Sequence, residues 1–360
     1  MPKKKALIAM SGGVDSSVAA YLMQQAGYDC IGVTMRLFDN GDANLSSEKS
    51  CCSLSDVEDA RAVCGRLGIP YYVFNFKDRF RSCVMDRFVD AYENGRTPNP
   101  CIDCNRFLKF DYLYQRAEEL GCDCIVTGHY ARIEQDAQTG RWLLKRAVYD
   151  QKDQSYVLYS LTQDQLAHTV FPLGGLTKPE VRAIAAEQGF RNARKHESQD
   201  ICFVPDGKYA NFIEHYTGHS YPAGNFVDSE GTVLGTHKGI IRYTVGQRKG
   251  LGLSLKHPMY VRRVNPQTNT VELGTNEELF SRELAAEDVN LIALPELNEP
   301  VRVSAKVRYR QPATPATVSP DGEDRIRVVF DEPQRAITKG QAVVLYDGDT
   351  VVGGATILEV

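Results

Sequence analysis

The stretch Lys5 to Ser17, KALIAMSGGVDSS, sets the tightest limit on what this chain folds into. Ala6 to Met10 is an apolar run of single-strand length, and Val14 to Gln25 is amphipathic at helical spacing. Ser11-Gly12-Gly13 lies between them, so the stretch reads as a strand, a glycine turn and a helix start. Glycines let a backbone approach a ligand closely, and the free N–H groups of such a turn converge on one point, which suits an anion. Ser11, Ser16 and Ser17 add hydroxyl donors. The turn has neither the Lys-Ser/Thr pair of a Walker loop nor the G-x-G-x-x-G spacing of a dinucleotide fold. A plain strand-to-helix turn that needs only small residues also accounts for Ser-Gly-Gly. Asp15 is what shifts the balance toward a site.

Downstream, strands and helices alternate. Cys30 to Met35 and Tyr71 to Phe76 read as strands, Asp56 to Leu67, Lys77 to Asn94 and Phe107 to Leu120 as helices, and Cys124 to Thr127 as a further strand ending at Gly128, His129 and Tyr130. This pattern predicts an α/β fold with a doubly wound parallel sheet, its ligand at the carboxyl ends of the strands beside the glycine turn. A hairpin follows from Ala131, turning at Thr139-Gly140, and then two helical segments, Gln163 to His168 and Pro179 to Gln188.

The later chain changes character. Glycine and short β segments dominate after Pro205, and from Val301 apolar and charged residues alternate with a period of two. We expect three domains: a catalytic domain over 1–203, a small central β-rich domain over 204–280, and a C-terminal β-barrel over 281–360. The chain has 360 residues, enough for several cores, and no run of about 18 apolar residues that would span a membrane. MPKKK followed by five mostly apolar residues is too short for a signal peptide, and ten cysteines without one point to a reducing, cytoplasmic setting. A net charge of -4 confines any nucleic-acid contact to local basic patches.

Three cysteines stand apart. Gly95 to Asn105 holds Pro98-Asn99-Pro100-Cys101-Ile102-Asp103-Cys104, stiffened by two prolines, with Cys104 placed by this reading at a helix start where the dipole favours thiolate. Cys202 sits in a polar junction, Ser198 to Phe203. Alone, the C-x-x-C pair suits a zinc site or a stiffened loop, and Cys202 suits a small core residue. Cys64 and Cys83 fall on apolar helix stripes and read as core.

Ser-Gly-Gly-Val-Asp-Ser-Ser after an N-terminal strand resembles the pyrophosphate loop of the ATP pyrophosphatase family, which cleaves ATP between the α and β phosphates. Taken with Pro98-Asn99-Pro100, Cys104-Asn105, Thr127 to Tyr130, Lys152 to Tyr156, Ile201-Cys202-Phe203, Gly246 to Gly252 and Arg308 to Gln311, nearly the whole chain resembles the tRNA-specific 2-thiouridylase family. The resemblance implies ATP with Mg2+ at Ala9, Met10, Ser11, Gly12, Gly13, Val14, Asp15, Ser16 and Gly128, with Met35 against adenine. It implies uracil O2 at the tRNA wobble position attacking the α-phosphate, followed by displacement of AMP by sulfur. By position, Cys202 carries a persulfide and Cys104 attacks it or closes a disulfide. Asn99, Pro100 and Cys101 lie at the target base. His129, Lys152, Asp153, Gln154, Arg308, Tyr309 and Gln341 match tRNA-contacting positions. The implied partners are tRNAs for lysine, glutamate and glutamine and a sulfur donor such as a cysteine desulfurase or relay protein, with no membrane.

Many members of the family carry an acidic residue where this chain has Cys101, so an acid-base role there is in doubt. The substitution also creates a set, Cys101, Cys104 and Cys202, of the kind that holds a 4Fe-4S cluster in some sulfur-inserting relatives. A persulfide route and a cluster route therefore both stand, and Cys51 and Cys52 are further thiols of interest. The basic residues Lys145, Arg146, Arg194, Lys195, Arg248, Lys249, Arg308 and Arg310 suit phosphate contacts of an anticodon stem, although each alone is ordinary surface charge. Two other readings remain. A pyrophosphatase-fold amide or guanidine synthetase would leave Cys104 and Cys202 idle, and a tRNA-binding protein without turnover would release no pyrophosphate.

Overall fold

A computed structural model describes residues 3–39, 41, 54–195 and 201–360. The chain divides into two compact units. The first comprises Met1–Val84, Cys101–Gly207 and Asp349–Val351, and the second Met85–Pro100, Lys208–Gly348 and Val352–Val360. Neither unit is a continuous piece of sequence, so the chain passes between them more often than contiguous domains would require.

The first unit is built on a parallel sheet of β1 (Lys5–Ala9), β2 (Asp29–Arg36), β3 (Tyr71–Asn75), β4 (Cys124–Val126) and, after the antiparallel hairpin β5 (Ala131–Gln135) and β6 (Trp142–Arg146), β7 (Thr169–Val170). The order is β3-β2-β1-β4-β7, with Ala6 in register with both Cys30 and Cys124. Central β1 is covered on both faces, which is why Ala6, Leu7 and Ile8 read as an unbroken apolar run: all three are fully buried. Helix α1 (Val14–Gln25) packs Val18, Ala19 and Met23 into this core against Val181 and Ala185 of the helix Lys178–Glu187. That second helix begins with a capping box in which Thr177 and Glu180 satisfy each other's backbone N–H groups.

Two helices differ from the reading of the sequence. The run from Lys77 is interrupted at Arg81–Met85 by a π-helical turn before Asp86–Glu93, and the passage between units falls at that interruption. The helix expected at Phe107 starts at Pro100, where proline's missing N–H is harmless, and is π-helical through Cys104–Tyr112 before Leu113–Glu119.

In the second unit the helices Asp86–Glu93 and Tyr209–Thr217 meet through Phe88 and Phe212, ring centroids 6.0 Å apart, and through stacked Tyr92 and Tyr209. The helix at Tyr209 lies in a stretch expected to be β-rich, with no helix anticipated there. Four strands follow, β8 (Gly224–Val227), β9 (Val233–His237), β10 (Tyr260–Asn265) and β11 (Thr270–Gly274), in the order β10-β11-β8-β9 around Phe226, Val261 and Leu273. The last six are β12 (Phe280–Leu291), β13 (Val301–Lys306), β14 (Thr314–Pro320), β15 (Arg325–Arg335), β16 (Ala342–Asp347) and β17 (Thr350–Glu359). They run β12-β15-β14-β13-β16-β17 and close through β12–β17 into the expected barrel, filled by Val303, Val318, Val328, Phe330 and Leu345.

Candidate active site

In the first unit the winding of the sheet reverses between β1 and β4, and the loops at their carboxyl ends are Ser11–Gly13 and Thr127–His129. An open α/β sheet binds its ligand at that crevice. Gly12 has φ +73°, and a Cβ there would overlap the Asp56 carbonyl, so only glycine lets the loop lie on α2 (Leu54–Leu67). Gly13 is the N-cap of α1 and has no side chain to accept from the first turn's amides, which are left without a side-chain cap. Ser16 Oγ donates to the Gly13 carbonyl at 3.1 Å and accepts from the Ser11 N–H at 3.2 Å. Ser17, expected to face the anion, is fully buried, and its hydroxyl donates to the Gly13 carbonyl at 2.9 Å. Ser17 shapes the loop instead of lining it.

Residues remote in sequence hold this loop. Asn192 Nδ2 donates to the Gly12 carbonyl and to Ser17 Oγ, each at 2.9 Å. Lys195 Nζ donates to the same carbonyl at 3.3 Å, to Asp56 at 2.5 Å and to Asp59 at 2.7 Å. Burial alone would lower the Lys195 pKa, but the two carboxylates outweigh it and hold the ammonium above the usual range. Lys195 is therefore a loop brace and not the solvent-facing phosphate contact that its basic surroundings suggested. Asp15 is gripped in turn: Lys178 Nζ lies 2.6 and 2.8 Å from its two oxygens, and the Tyr130 hydroxyl donates to Oδ1 at 2.9 Å. Gly128 packs against the start of α1, where a Cβ would stand 2.8 Å from the Ser16 nitrogen. Sequence reasoning missed Lys178, Tyr130, Asn192 and Asp56. Tyr130 closes the quoted run Thr127 to Tyr130 without a role of its own, and Lys178 opens the capped helix, but neither context signals a partner so far away.

Ala9 ends β1, and Met10 is buried beyond it, its N–H donating to the Val33 carbonyl. Met35 is half-buried near the end of β2. Beside it Thr34 Oγ1 donates to the Met10 carbonyl and accepts from the Tyr71 hydroxyl, both at 2.7 Å, which ties β2 to the loop.

Cys104 lies one turn inside its helix, beyond the reach of a terminal dipole. The residue keeps a partly exposed surface, yet the protein packed around its sulfur raises the thiol pKa; Lys109 pulls it down and Asp103 pushes it further up. The expectation of a dipole-lowered Cys104 is thus reversed by desolvation. Cys101 is exposed and Cys202 half-buried. Among the described residues no group of three or more His, Cys, Asp or Glu side chains is placed to hold a metal ion, so Cys101, Cys104 and Cys202 do not form a cluster site as they stand. A Mg2+ arriving with a nucleotide is held mainly by phosphates and one or two carboxylates, and Asp15 at the loop fits that need. Cys51, Cys52 and Ser198 to Asp200 lie outside the described residues.

The positions matched to tRNA contacts divide into loop organisers and exposed groups. Asp153 is buried and accepts from the Ala147 and Ser155 N–H groups and the Ser155 hydroxyl, so it builds the loop on which half-buried Lys152 and Gln154 ride. His129 is buried between Phe110 and Phe171, 2.6 Å from Thr127 Oγ1, and burial lowers its pKa well below 6.5. Lys145 is paired with Glu134 and Asp349. In the second unit Arg308 Nη2 donates to the Val245 and Ala336 carbonyls and to Thr338 Oγ1, Tyr309 is exposed over the Lys306 ammonium, and Gln341 holds the backbone before half-buried Asn99 and buried Pro100. Arg194, Arg248, Lys249 and Arg310 are exposed.

The parallel sheet and its amide-rich glycine loop define a doubly wound α/β domain with an anion-binding turn at its switch point, joined to two β-rich domains. Family models agree: residues 4–206 match the tRNA methyl transferase HUP domain, 210–275 the tRNA methyl transferase PRC-barrel domain and 281–357 the aminomethyltransferase beta-barrel domain. Similar proteins include tRNA-specific 2-thiouridylase MnmA of Clostridioides difficile, 56% identical over 98% of both chains, and that of Acetivibrio thermocellus, 53% identical over 99% of this chain and 100% of its own. The protein of the same name from Lachnoclostridium phytofermentans is 52% identical over 99% and 100%. The chain belongs to the tRNA-specific 2-thiouridylase family.

Proposed function

We propose that this chain is a tRNA-uridine 2-sulfurtransferase that thiolates the wobble uridine at the expense of ATP. The observation that carries the reading is the glycine loop with Asp15 at the β1/β4 crevice, in a chain of this family. The amides of Gly12 to Asp15 receive the leaving pyrophosphate beside the Ser11 hydroxyl, and Met35 faces adenine. Uracil O2 attacks the α-phosphate, the bond to the β-phosphate breaks, and pyrophosphate departs. The loop's fixed N–H groups stabilise the charge that develops there. Asp15, together with the nucleotide's own phosphates, would hold a Mg2+ ion, which would supply charge neutralisation there.

Sulfur transfer falls to Cys202 and Cys104. The terminal sulfur of a Cys202 persulfide attacks C2, the bond from C2 to the adenylated oxygen breaks, and AMP leaves. Cys104 thiolate then attacks Cys202 Sγ, the adduct's S–S bond breaks toward C2, and 2-thiouridine is released with a Cys104–Cys202 disulfide that an external thiol reduces. Burial keeps Cys104 protonated until that step, with Lys109 as the cation favouring the thiolate. Asn99 and Pro100 meet the flipped base, and Lys152, Gln154, Tyr309 and the exposed arginines position the anticodon stem. A cysteine desulfurase or relay protein loads Cys202, the acceptors are tRNAs for lysine, glutamate and glutamine, and the setting is the cytoplasm; among the described residues no helix is long and apolar enough to cross a membrane.

The test is reconstitution with ATP, unmodified tRNA and a persulfide donor. Pyrophosphate, AMP and 2-thiouridine should form in equal amounts, and thiolation without nucleotide would sink the proposal.

A further inference from the structure

Tyr130 is 2% exposed and is engaged at both ends. Its N–H donates to Gln154 Oε1 at 3.0 Å, and its carbonyl accepts from the Gln154 N–H at 2.9 Å. At the far end its hydroxyl donates to Asp15 Oδ1 at 2.9 Å, and the Lys178 ammonium that grips both Asp15 oxygens lies 5.8 Å from the Tyr130 ring centroid. Gly128, in the same segment, comes so near α1 that a Cβ there would stand 3.0 Å from Asp15 Cβ.

Asp15 occupies the first turn of α1, where a carboxylate free to turn back would accept from the helix's own N–H groups. Tyr130 and Lys178 hold it away and leave those amides for phosphate. Gln154 in turn is fixed by the loop that buried Asp153 organises. A shift of Gln154 therefore moves the backbone that carries the phenol, and close packing leaves little slack between loop and hydroxyl.

We propose that Tyr130 is a positioning residue through which the Lys152–Gln154 loop sets the geometry of Asp15, coupling tRNA engagement to nucleotide turnover. This inference rests on the tRNA-thiolation reading and adds a route by which RNA governs adenylation.

The experiment uses the full chain with ATP and an unmodified tRNA transcript, following pyrophosphate release and, separately, tRNA binding. Tyr130→Phe removes only the hydroxyl; the kcat for tRNA-stimulated pyrophosphate release should fall roughly tenfold or more, the worth of a hydrogen bond to a charged group. Affinity for tRNA should be unchanged. Gln154→Ala should lower kcat in the same direction, and the double variant should fall no further than the worse single one, because both act through one phenol. Lys178→Arg should retain turnover that Lys178→Met loses. Where Tyr130→Phe melts early, the Gln154 and Lys178 variants carry the comparison. Full kcat in Tyr130→Phe, or losses that multiply in the double variant, would overturn the coupling alone. A wild-type protein that releases no pyrophosphate with tRNA would overturn the thiolation reading and the coupling with it.

Discussion

Gln341 donates from Nε2 to the Thr97 carbonyl at 2.8 Å and to the Pro98 carbonyl at 3.2 Å. The Thr97 N–H donates to the Lys339 carbonyl at 2.9 Å, so the backbone ahead of Asn99 and Pro100 is held on both its donor and acceptor sides. Gly340 makes this approach feasible: its φ is +85°, and a Cβ there would stand 3.0 Å from Arg96 Cβ. The family resemblance placed Gln341 at a tRNA contact. In the protein as folded its amide nitrogen braces the loop that precedes the proposed base contact.

Gln341→Ala should therefore impair thiolation more than it impairs tRNA binding. The loss is about 1–2 kcal/mol of loop order, from the hydrogen bonds removed. Single-turnover thiolation compared with filter binding of tRNA checks this. A residue that only touches RNA would give the opposite split.

Replacing Cys104 or Cys202 with Ser should separate the two half-reactions. Each variant should still release pyrophosphate when given ATP and tRNA, because the glycine loop is untouched, and should form no 2-thiouridine. Mass spectrometry of the nucleosides alongside a pyrophosphate assay reads both. Cys101→Ser should keep most thiolation, since no step of the proposed route passes through it.

The buried thiols set the alkaline limit of the fold. Burial holds Cys30 up at about 11 and Cys64 and Cys124 at about 12, against an ordinary value of 9.0. The folded state keeps protons that the unfolded chain gives up, so their stabilisation is complete below pH 9.0 and is lost as pH rises toward these values. Urea midpoints should hold steady up to about pH 9 and fall as pH rises from there toward about 11. The same rise in pH should speed sulfur transfer in a single turnover, because Cys104 must ionise from a raised pKa.

His129 acts on the acid side. Burial depresses its pKa well below 6.5, so its contribution is present above 6.5 and is lost as pH falls toward the folded value. His129→Phe should flatten the dependence of the melting temperature on pH below neutrality, as measured by calorimetry.

Lys195→Met should weaken the nucleotide site without touching nucleotide. Asp56, Asp59 and the Gly12 carbonyl would lose their shared cation, at a cost of roughly 2 kcal/mol. Thermal melting would show the lost stability, and titration with ATP would show weaker binding.

Much of the architecture was legible. Helix α1 begins and ends where its periodicity places it, because glycine before it and Ala26-Gly27 after it are local stops. The alternation from Val301 identified a barrel strand, since one face is core and the other solvent. Strand β12 was not seen: its ladder is interrupted by bulges, so a simple period of two fails along its length. Pro315 and Pro320 hid β14 because proline argues against a strand. The helix at Tyr209 was overlooked because the surrounding chain is rich in glycine, although Phe212 and Ile213 supply a buried face.

What the sequence determined by itself is what neighbours along the chain impose: a strand, a turn that only glycine allows, a helix start with uncapped amides, and cysteines set in proline-bound or polar loops. Tertiary structure alone decided which groups govern those parts. Lys178 reaches Asp15 across 163 residues and Tyr130 across 115, and no local pattern encodes either distance. The same holds for Cys104, which the sequence puts near a helix start, where a thiolate is favoured, and which the fold puts a turn inside its helix among groups that favour the thiol, because desolvation depends on what the whole fold packs around a sulfur.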